Sequence, residues 1–242
     1  MQEHLEWQVG VQRMAKNRKK VVLFIVEGSS EEIALGSIMK EFFANNEVRF
    51  EIIRGDITSR NDVTTGNVIS KINEYISICM SKYSYKLGDI LKIIHLTDTD
   101  GVFIADEYVQ EDSVKEVQYK LDKIVAPFRN SIILRNYRKS SVTKKLVFTN
   151  SIRNIPYKIY FNSCNLEHVL YGQLQNFTAQ EKVDKADDFA LEYENKLTDF
   201  KEFIFSKNIA VEGTYRETWE YIQKDLRSLN RGSNMHLIFE AS

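Results

Sequence analysis

Apolar residues recur with two different periods along this chain. Val21–Val26 is an unbroken run of β-branched, aromatic and aliphatic side chains, the pattern of a strand buried on both faces of a parallel sheet. It stops at Glu27-Gly28, and Ile33, Leu35, Ile38, Met39 and Phe42 then follow helical spacing, with Ser29 and Glu32 placed as a capping box. Residues 48–53 predict a second strand, ended by Gly55. Val68, Ile69, Ile72, Ile76, Cys79 and Tyr83 predict a second helix. Residues 90–97 form a third apolar strand that ends at Asp98-Thr99-Asp100-Gly101. Val114, Val117, Leu121 and Ile124 predict a third helix stopped by Pro127, and residues 131–134 and 157–161 predict shorter strands. From about residue 167 the pattern turns helical. Phe189, Tyr193, Leu197, Phe200 and Ile204 line one helix. Thr214 and Glu217 cap another, whose Trp219, Ile222 and Leu226 face inward; residues 235–239 predict a closing strand.

The alternation of strand and helix predicts an α/β fold, a Rossmann-like parallel sheet flanked by helices, with a mainly helical C-terminal extension. The expected organisation is an N-terminal arm (1–19, with Trp7 in a short helix), a core (20–165) and an extension packed on that core (166–242). A length of 242 residues with 43% hydrophobic content suits such a core. Two Pro and ten Gly leave little room for long disordered linkers. The two cysteines, Cys79 and Cys164, give neither zinc spacing nor a disulfide framework, which points to a reducing, cytoplasmic setting. No stretch reads as a signal peptide, and Val21–Val26 is too short to cross a bilayer. Net charge is −1, so any nucleic-acid binding has to rest on local patches.

The chemistry concentrates where the strands stop. In an open α/β sheet, ligands bind beyond the C-terminal ends of the strands. Glu27 ends the first strand, and Asp98 and Asp100 end the third; if those strands are neighbours, three carboxylates converge. Two residues apart on an extended backbone, Asp98 and Asp100 point to one side. Carboxylates that close repel unless a cation lies between them, and hard oxygen ligands favour Mg²⁺ or Mn²⁺ over zinc.

Val26-Glu27-Gly28-Ser29-Ser30-Glu31-Glu32-x-Ala34-Leu35, followed by Ile93-Ile94-His95-Leu96-Thr97-Asp98-Thr99-Asp100, resembles the TOPRIM domain across roughly residues 20–165. That domain is shared by topoisomerases, primases, the OLD-family nucleases and small bacterial nucleases. The resemblance implies that Glu27 acts as general acid/base or metal ligand and that Asp98 and Asp100 hold Mg²⁺. Glu31 falls where OLD-like members carry a further metal-binding carboxylate; otherwise it serves the helix dipole. Gly101 follows the aspartates at once, a departure from the topoisomerase-like spacing. Asn162-Ser163-Cys164-Asn165-Leu166-Glu167-His168 resembles a segment of TOPRIM proteins of unassigned function linked to phage defence, in which Glu167 would join the acidic site. The plainer reading makes Ser163 or Asn165 a helix cap and Glu167 a dipole partner. The implied activity is a Mg²⁺-dependent nuclease acting on DNA or RNA, with an effector role in phage defence and a possible homo-oligomeric state.

Two basic runs are candidate phosphate contacts or solvated surface. One holds Arg13, Lys16, Arg18, Lys19 and Lys20. The other, residues 135–145, reads as a loop with Arg135, Arg138, Lys139, Lys144 and Lys145 and no acid. Two other functions fit parts of the sequence. Leu96-Thr97-Asp98-Thr99-Asp100-Gly101-Val102 matches the first motif of HAD-type phosphatases, with Asp98 as nucleophile and Asp100 as general acid, but two β-α units precede it. A non-catalytic module binding nucleic acid or an ATPase partner is the third possibility. The chain has no Walker A sequence, so an ATPase would be a separate protein.

Overall fold

A computed structural model describes residues 20–52 and 56–240. Strand β1 (Val21–Val26) is buried at every position, and its alternate side chains enter two different cores. Val22, Phe24 and Val26 face helix α1 (Ser29–Phe42). Leu23 and Ile25 face helix α2 (Val68–Tyr83), which follows β2 (Glu47–Ile52). Strand β3 (Ile90–Asp98) runs beside β1. Three short strands follow, β4 (Val109–Glu111), β5 (Gln118–Tyr119) and β6 (Ile124–Ala126), and form a small separate sheet. Helix α3 (Arg129–Val147) leads to the hairpin of β7 (Ser151–Ile152) and β8 (Ile155–Asn162). Its two-residue turn, Arg153-Asn154, has positive φ at both positions, the twist a tight hairpin needs.

The main sheet has the order β2-β1-β3-β8-β7. The pairs β1–β2, β1–β3 and β3–β8 are parallel and β7–β8 is antiparallel. This is an α/β fold with a mixed, mostly parallel sheet flanked by helices, consistent with a Rossmann-like arrangement. The chain leaves β1 to one side, for β2, and returns on the other, for β3. The C-terminal ends of β1 and β3 therefore flank the point where strand order reverses.

The C-terminal region contributes α4 (Leu166–Tyr171), α5 (Ala179–Glu192), α6 (Leu197–Ile204), α7 (Tyr215–Ile222) and α8 (Leu237–Glu240). It extends both cores. Phe189, Phe200 and Phe239 pack on the α1 side, where the rings of Phe42 and Phe239 lie 4.6 Å apart; Trp219 and Ile222 pack on the α2 side. No helix among the described residues is long and apolar enough to cross a membrane.

Several expected elements differ. No helix forms over 114–124: Leu121 is 58% exposed, and only Ile124 of the four apolar residues is buried, as part of β6. Residues 131–134 are helical, not a strand. Both they and the expected loop 135–145 lie in α3, which begins just after Pro127. The helix expected through Phe189 and Ile204 is two helices, broken where Asn195 takes a positive φ. Residues 235–239 are turn and α8; Met235, Leu237, Ile238 and Phe239 are all buried, and a run buried all round has no period to tell strand from helix. The second strand spans Glu47–Ile52, while Ile53, Gly55 and the N-terminal arm, with Trp7, Arg13, Lys16, Arg18 and Lys19, lie outside the described residues.

Candidate active site

Strands β1 and β3 deliver acidic side chains and β8 an amide. β1 and β3 are neighbours, with Ile25 level with His95, so Glu27 leaves β1 beside Thr97 and Asp98. Glu27 Oε1 accepts hydrogen bonds from the Thr97 hydroxyl (3.0 Å) and from the Asp98 N–H (3.1 Å). Asp98 is paired in register with Asn162 at the end of β8, and the Asn162 Nδ2 amide donates to Asp98 Oδ1 at 3.2 Å.

The backbone then turns sharply. Asp100 and Gly101 have φ of 49° and 65°. Backbone N–H groups of Thr99 and Asp100 donate to the carbonyls of Asn162 (2.9 Å) and Cys164 (2.8 Å), and the Cys164 N–H donates to the Thr99 hydroxyl at 2.9 Å. This lacing holds the left-handed turn in place. It also corrects the expectation that Asp98 and Asp100 lie along an extended backbone and point together. Asp100 swings to α3, where its Oδ2 meets Lys139 Nζ at 2.7 Å.

Lys139 is fully buried, and its ammonium also lies 2.5 Å from Asp56 Oδ2. Asp56 was not anticipated from the sequence. Its Oδ1 accepts from the Thr58 N–H (2.7 Å) and hydroxyl (2.6 Å). The local signal is an Asp followed two residues later by a hydrogen-bonding Thr, a turn signature found at many positions of no catalytic interest. Only the placement of β2 beside β1 gives it meaning.

A second group lies on the other side of Asp98. Glu31 is buried in the first turn of α1, and its Oε2 accepts from the Gly28 N–H and the Ser30 hydroxyl, both at 3.2 Å. Glu31 therefore takes the capping role expected of Glu32, which is exposed, and the helix is capped at Gly28 rather than Ser29. Glu167 is buried in the first turn of α4, whose N-cap is Asn165 accepting from the His168 N–H at 2.8 Å. Lys182 reaches across from α5 to Glu167 Oε1 at 2.9 Å.

Electrostatics couple the two groups. Burial pushes Glu27 well above the ordinary carboxylate range, and Asp56, Asp98 and Asp100 push it further while Lys139 opposes them. Burial also raises Asp98, helped by Glu31, Glu167 and Asp100. Glu31 is raised chiefly by burial. For Lys139, burial favours the neutral amine, but Asp100, Asp56 and Glu27 outweigh it and hold the ammonium charged. Six carboxylates (Glu27, Glu31, Asp56, Asp98, Asp100 and Glu167) face three cations, the ammonium groups of Lys139 and Lys182 and the Arg135 guanidinium, a formal charge of −3 if all ionise. Glu27, Asp98 and Asp100 keep a partial opening to solvent.

The candidate phosphate contacts divide. Arg135 is spent on protein acceptors: the Tyr119 hydroxyl (2.7 Å), the Asp100 carbonyl (2.9 Å) and Asn136 Oδ1 (2.8 Å). Lys139 is the internal counterion just described, so neither points outward as a surface phosphate contact would. Arg138 binds the Ser59 carbonyl at 3.1 Å and Asn61 Oδ1, while Lys144 and Lys145 are exposed.

The donors match a hard divalent cation in chemistry, being carboxylate oxygens. As arranged, they are committed to protein donors: Glu27 to Thr97 and the Asp98 N–H, Asp100 to Lys139, Glu31 to Gly28 and Glu167 to Lys182. Accordingly, no three Asp, Glu, His or Cys side chains among the described residues form a ready ligand set. Ligation requires side-chain rotation. Protein-family models, curated proteins and solved structures yielded no match to this chain.

Proposed function

We propose that this protein is a Mg²⁺- or Mn²⁺-dependent nuclease of TOPRIM type, hydrolysing phosphodiester bonds. The observation that carries the proposal is the junction of two adjacent strand tips at the reversal of strand order, where the Glu27 carboxylate accepts from the Asp98 N–H and lies within electrostatic reach of the Asp98 carboxylate. Like-charged, desolvated groups are costly for a fold to gather, and such perturbed groups cluster at functional sites. Glu27 has no role in HAD-type phosphatase chemistry, which makes that reading the weaker one.

Glu27, Asp98 and Asp100 would hold the cation, with Glu31 and Glu167 as further ligands. The bound ion would supply charge stabilisation to the phosphate and a more acidic water. The protein's own residues do the rest. Glu27, its affinity for protons raised by burial, would accept or return the proton. Asn162 orients Asp98, and Lys139 is the buried counterion of Asp56 that Asp100 would leave to reach the ion. An effector role in phage defence, with a separate ATPase as regulator, follows from the family resemblance.

The test is incubation of purified protein with Mg²⁺ or Mn²⁺ and plasmid, single-stranded DNA or tRNA. Metal-dependent cleavage that disappears in Glu27→Gln supports the proposal. Cleavage of none of these substrates, with or without an ATPase partner, favours a non-catalytic module. Cleavage that survives Glu27→Gln refutes the assignment of roles.

A further inference from the structure

Helix α3 has two faces of opposite character. It carries Arg129, Arg135, Arg138, Lys139, Lys144 and Lys145 and no acid, in a chain of net charge −1. At about 100° per residue, Ile132, Asn136, Lys139, Val142, Thr143 and Leu146 share the buried side. The opposite side presents Leu134, Tyr137, Arg138, Lys144 and Lys145 and, one residue past the helix end, Phe148. Leu134, Tyr137 and Phe148 are 64%, 78% and 72% exposed, so two rings and an aliphatic side chain stand open to solvent on the side of the helix that carries the lysines. This outer face is tied to the segment that follows Asp56 through one residue. Arg138 is next in sequence to Lys139, and it anchors on Ser59 and Asn61, the segment that follows Asp56.

Resting on the nuclease reading, we propose that the outer face of α3 guides a single-stranded nucleic acid to the acidic site, with Tyr137 and Phe148 stacking unpaired bases and Lys144 and Lys145 meeting phosphates. Exposed rings interleaved with cations and free of acids form a stacking platform in an electrostatic track. A duplex hides its base faces and offers such rings nothing to stack on. An acid-free basic stripe selects a polyanion over an apolar protein partner.

The experiment is fluorescence anisotropy with the full chain in EDTA. The probes are labelled single strands of DNA and RNA of about sixteen nucleotides, near the upper length one single-strand module covers, and the matching duplex. Wild type binds the single strands more tightly than the duplex. Tyr137→Ala weakens single-strand binding roughly tenfold, whereas Tyr137→Phe, which keeps the ring, binds like wild type. Replacing Lys144 and Lys145 by Ala reduces the slope of log affinity against log salt by about 1.4. Thermal melts confirm that each variant folds, as expected for exposed positions. Equal affinity for duplex, or wild-type affinity in Tyr137→Ala, overturns the proposal. So does a Tyr137-dependent dimer in light scattering, which makes the face a contact between copies. Cleavage is followed in parallel with Mg²⁺. Cleavage with Tyr137-insensitive binding ends the α3 track and leaves the nuclease standing; Tyr137-dependent binding without cleavage keeps the binding face and ends the nuclease reading.

Discussion

Replacing Lys139 by Met keeps most of the side chain's volume and removes the ammonium in direct contact with both Asp56 and Asp100. Lys139 is fully buried, and its carboxylate partners are 10% and 23% exposed at the side chain, so solvent replaces little of what is lost. Breaking a buried ion pair from one side costs about 3–5 kcal/mol. The partial opening at Asp100 places this case near the lower end, about 3 kcal/mol, or roughly 6–12 °C in melting temperature for a chain of this size. The pH dependence has a definite sign. In wild type, burial pushes Asp56 up, but Lys139 and the Thr58 hydrogen bonds outweigh it and leave its carboxyl below the ordinary value. The stability that Asp56 contributes is therefore complete above its unfolded value and is lost only as pH falls through the lower folded one. Lys139, held above its ordinary value, contributes stability that is complete below the unfolded lysine value and lost only in strong alkali. The pair's contribution is thus flat across neutral pH. Without Lys139, the burial of Asp56 loses its largest opposing influence and is countered by the Thr58 hydrogen bonds and the more distant Arg135. Lowering the pH from 7 towards 4 protonates Asp56 early and narrows the gap to wild type. Adding Asp56→Asn to the variant recovers part of the loss at pH 7. Thermal and urea unfolding across this pH range measure all three effects. A Lys139→Met protein within about 1 kcal/mol of wild type at pH 7, with no pH-dependent gap, refutes the role of Lys139 as internal counterion.

Other substitutions separate function from stability. Glu27→Gln keeps an oxygen to accept from Thr97 and the Asp98 N–H and removes a buried charge, so cleavage falls roughly 10²–10⁴-fold while thermal stability at pH 7.5 holds or rises; reduced stability in this variant contradicts the account. Gly101→Ala forces a side chain into a positive φ and brings its Cβ to 2.5 Å from Leu229 Cδ2, costing about 2 kcal/mol in urea unfolding; an unchanged midpoint contradicts the geometry of the Asp98–Gly101 turn. His95, buried against the Tyr157 hydroxyl at 2.7 Å, is pushed down to about 4 by burial. Below the unfolded histidine value the denatured chain takes up a proton that the folded one refuses, so this group withdraws about 1.4 kcal/mol of stability per pH unit as pH falls towards 4. His95→Gln shows a shallower loss of melting temperature between pH 6.5 and 5 than wild type, and parallel curves for the two proteins exclude the effect.

Glu27, Asp98 and Asp100 are legible in the sequence because each interrupts or ends a strand apolar enough to be recognised without context. Their meeting is not legible, since it depends on β1 and β3 being neighbours, a property of strand order. Asp56 depends on the same fact and carries no local mark beyond a turn. Lys139 reads as one member of a charge run because its helix was taken for a loop; once α3 is a helix, the spacing puts Lys139 on the side of Val142 and Leu146 and puts Lys144 and Lys145 on the other. Residues 114–124 mislead for the opposite reason. Their apolar spacing is helical, but the segment belongs to a small sheet beside α3 with little to bury. Glu31 and Glu167 each allow two readings from sequence, dipole partner or site member, and both sit buried in a first helical turn and next to the acidic cluster.

The central claim is that carboxylates from separate strand tips share a divalent cation. Electron paramagnetic resonance titration of Mn²⁺ into the purified chain reads this directly, because bound ion loses its free-solution signal. Saturable binding is expected, competed by Mg²⁺ and lost when Asp98 and Asp100 are both replaced by Asn in a protein that still melts cooperatively. Absence of saturable binding in wild type, or binding unchanged in that double variant, contradicts it.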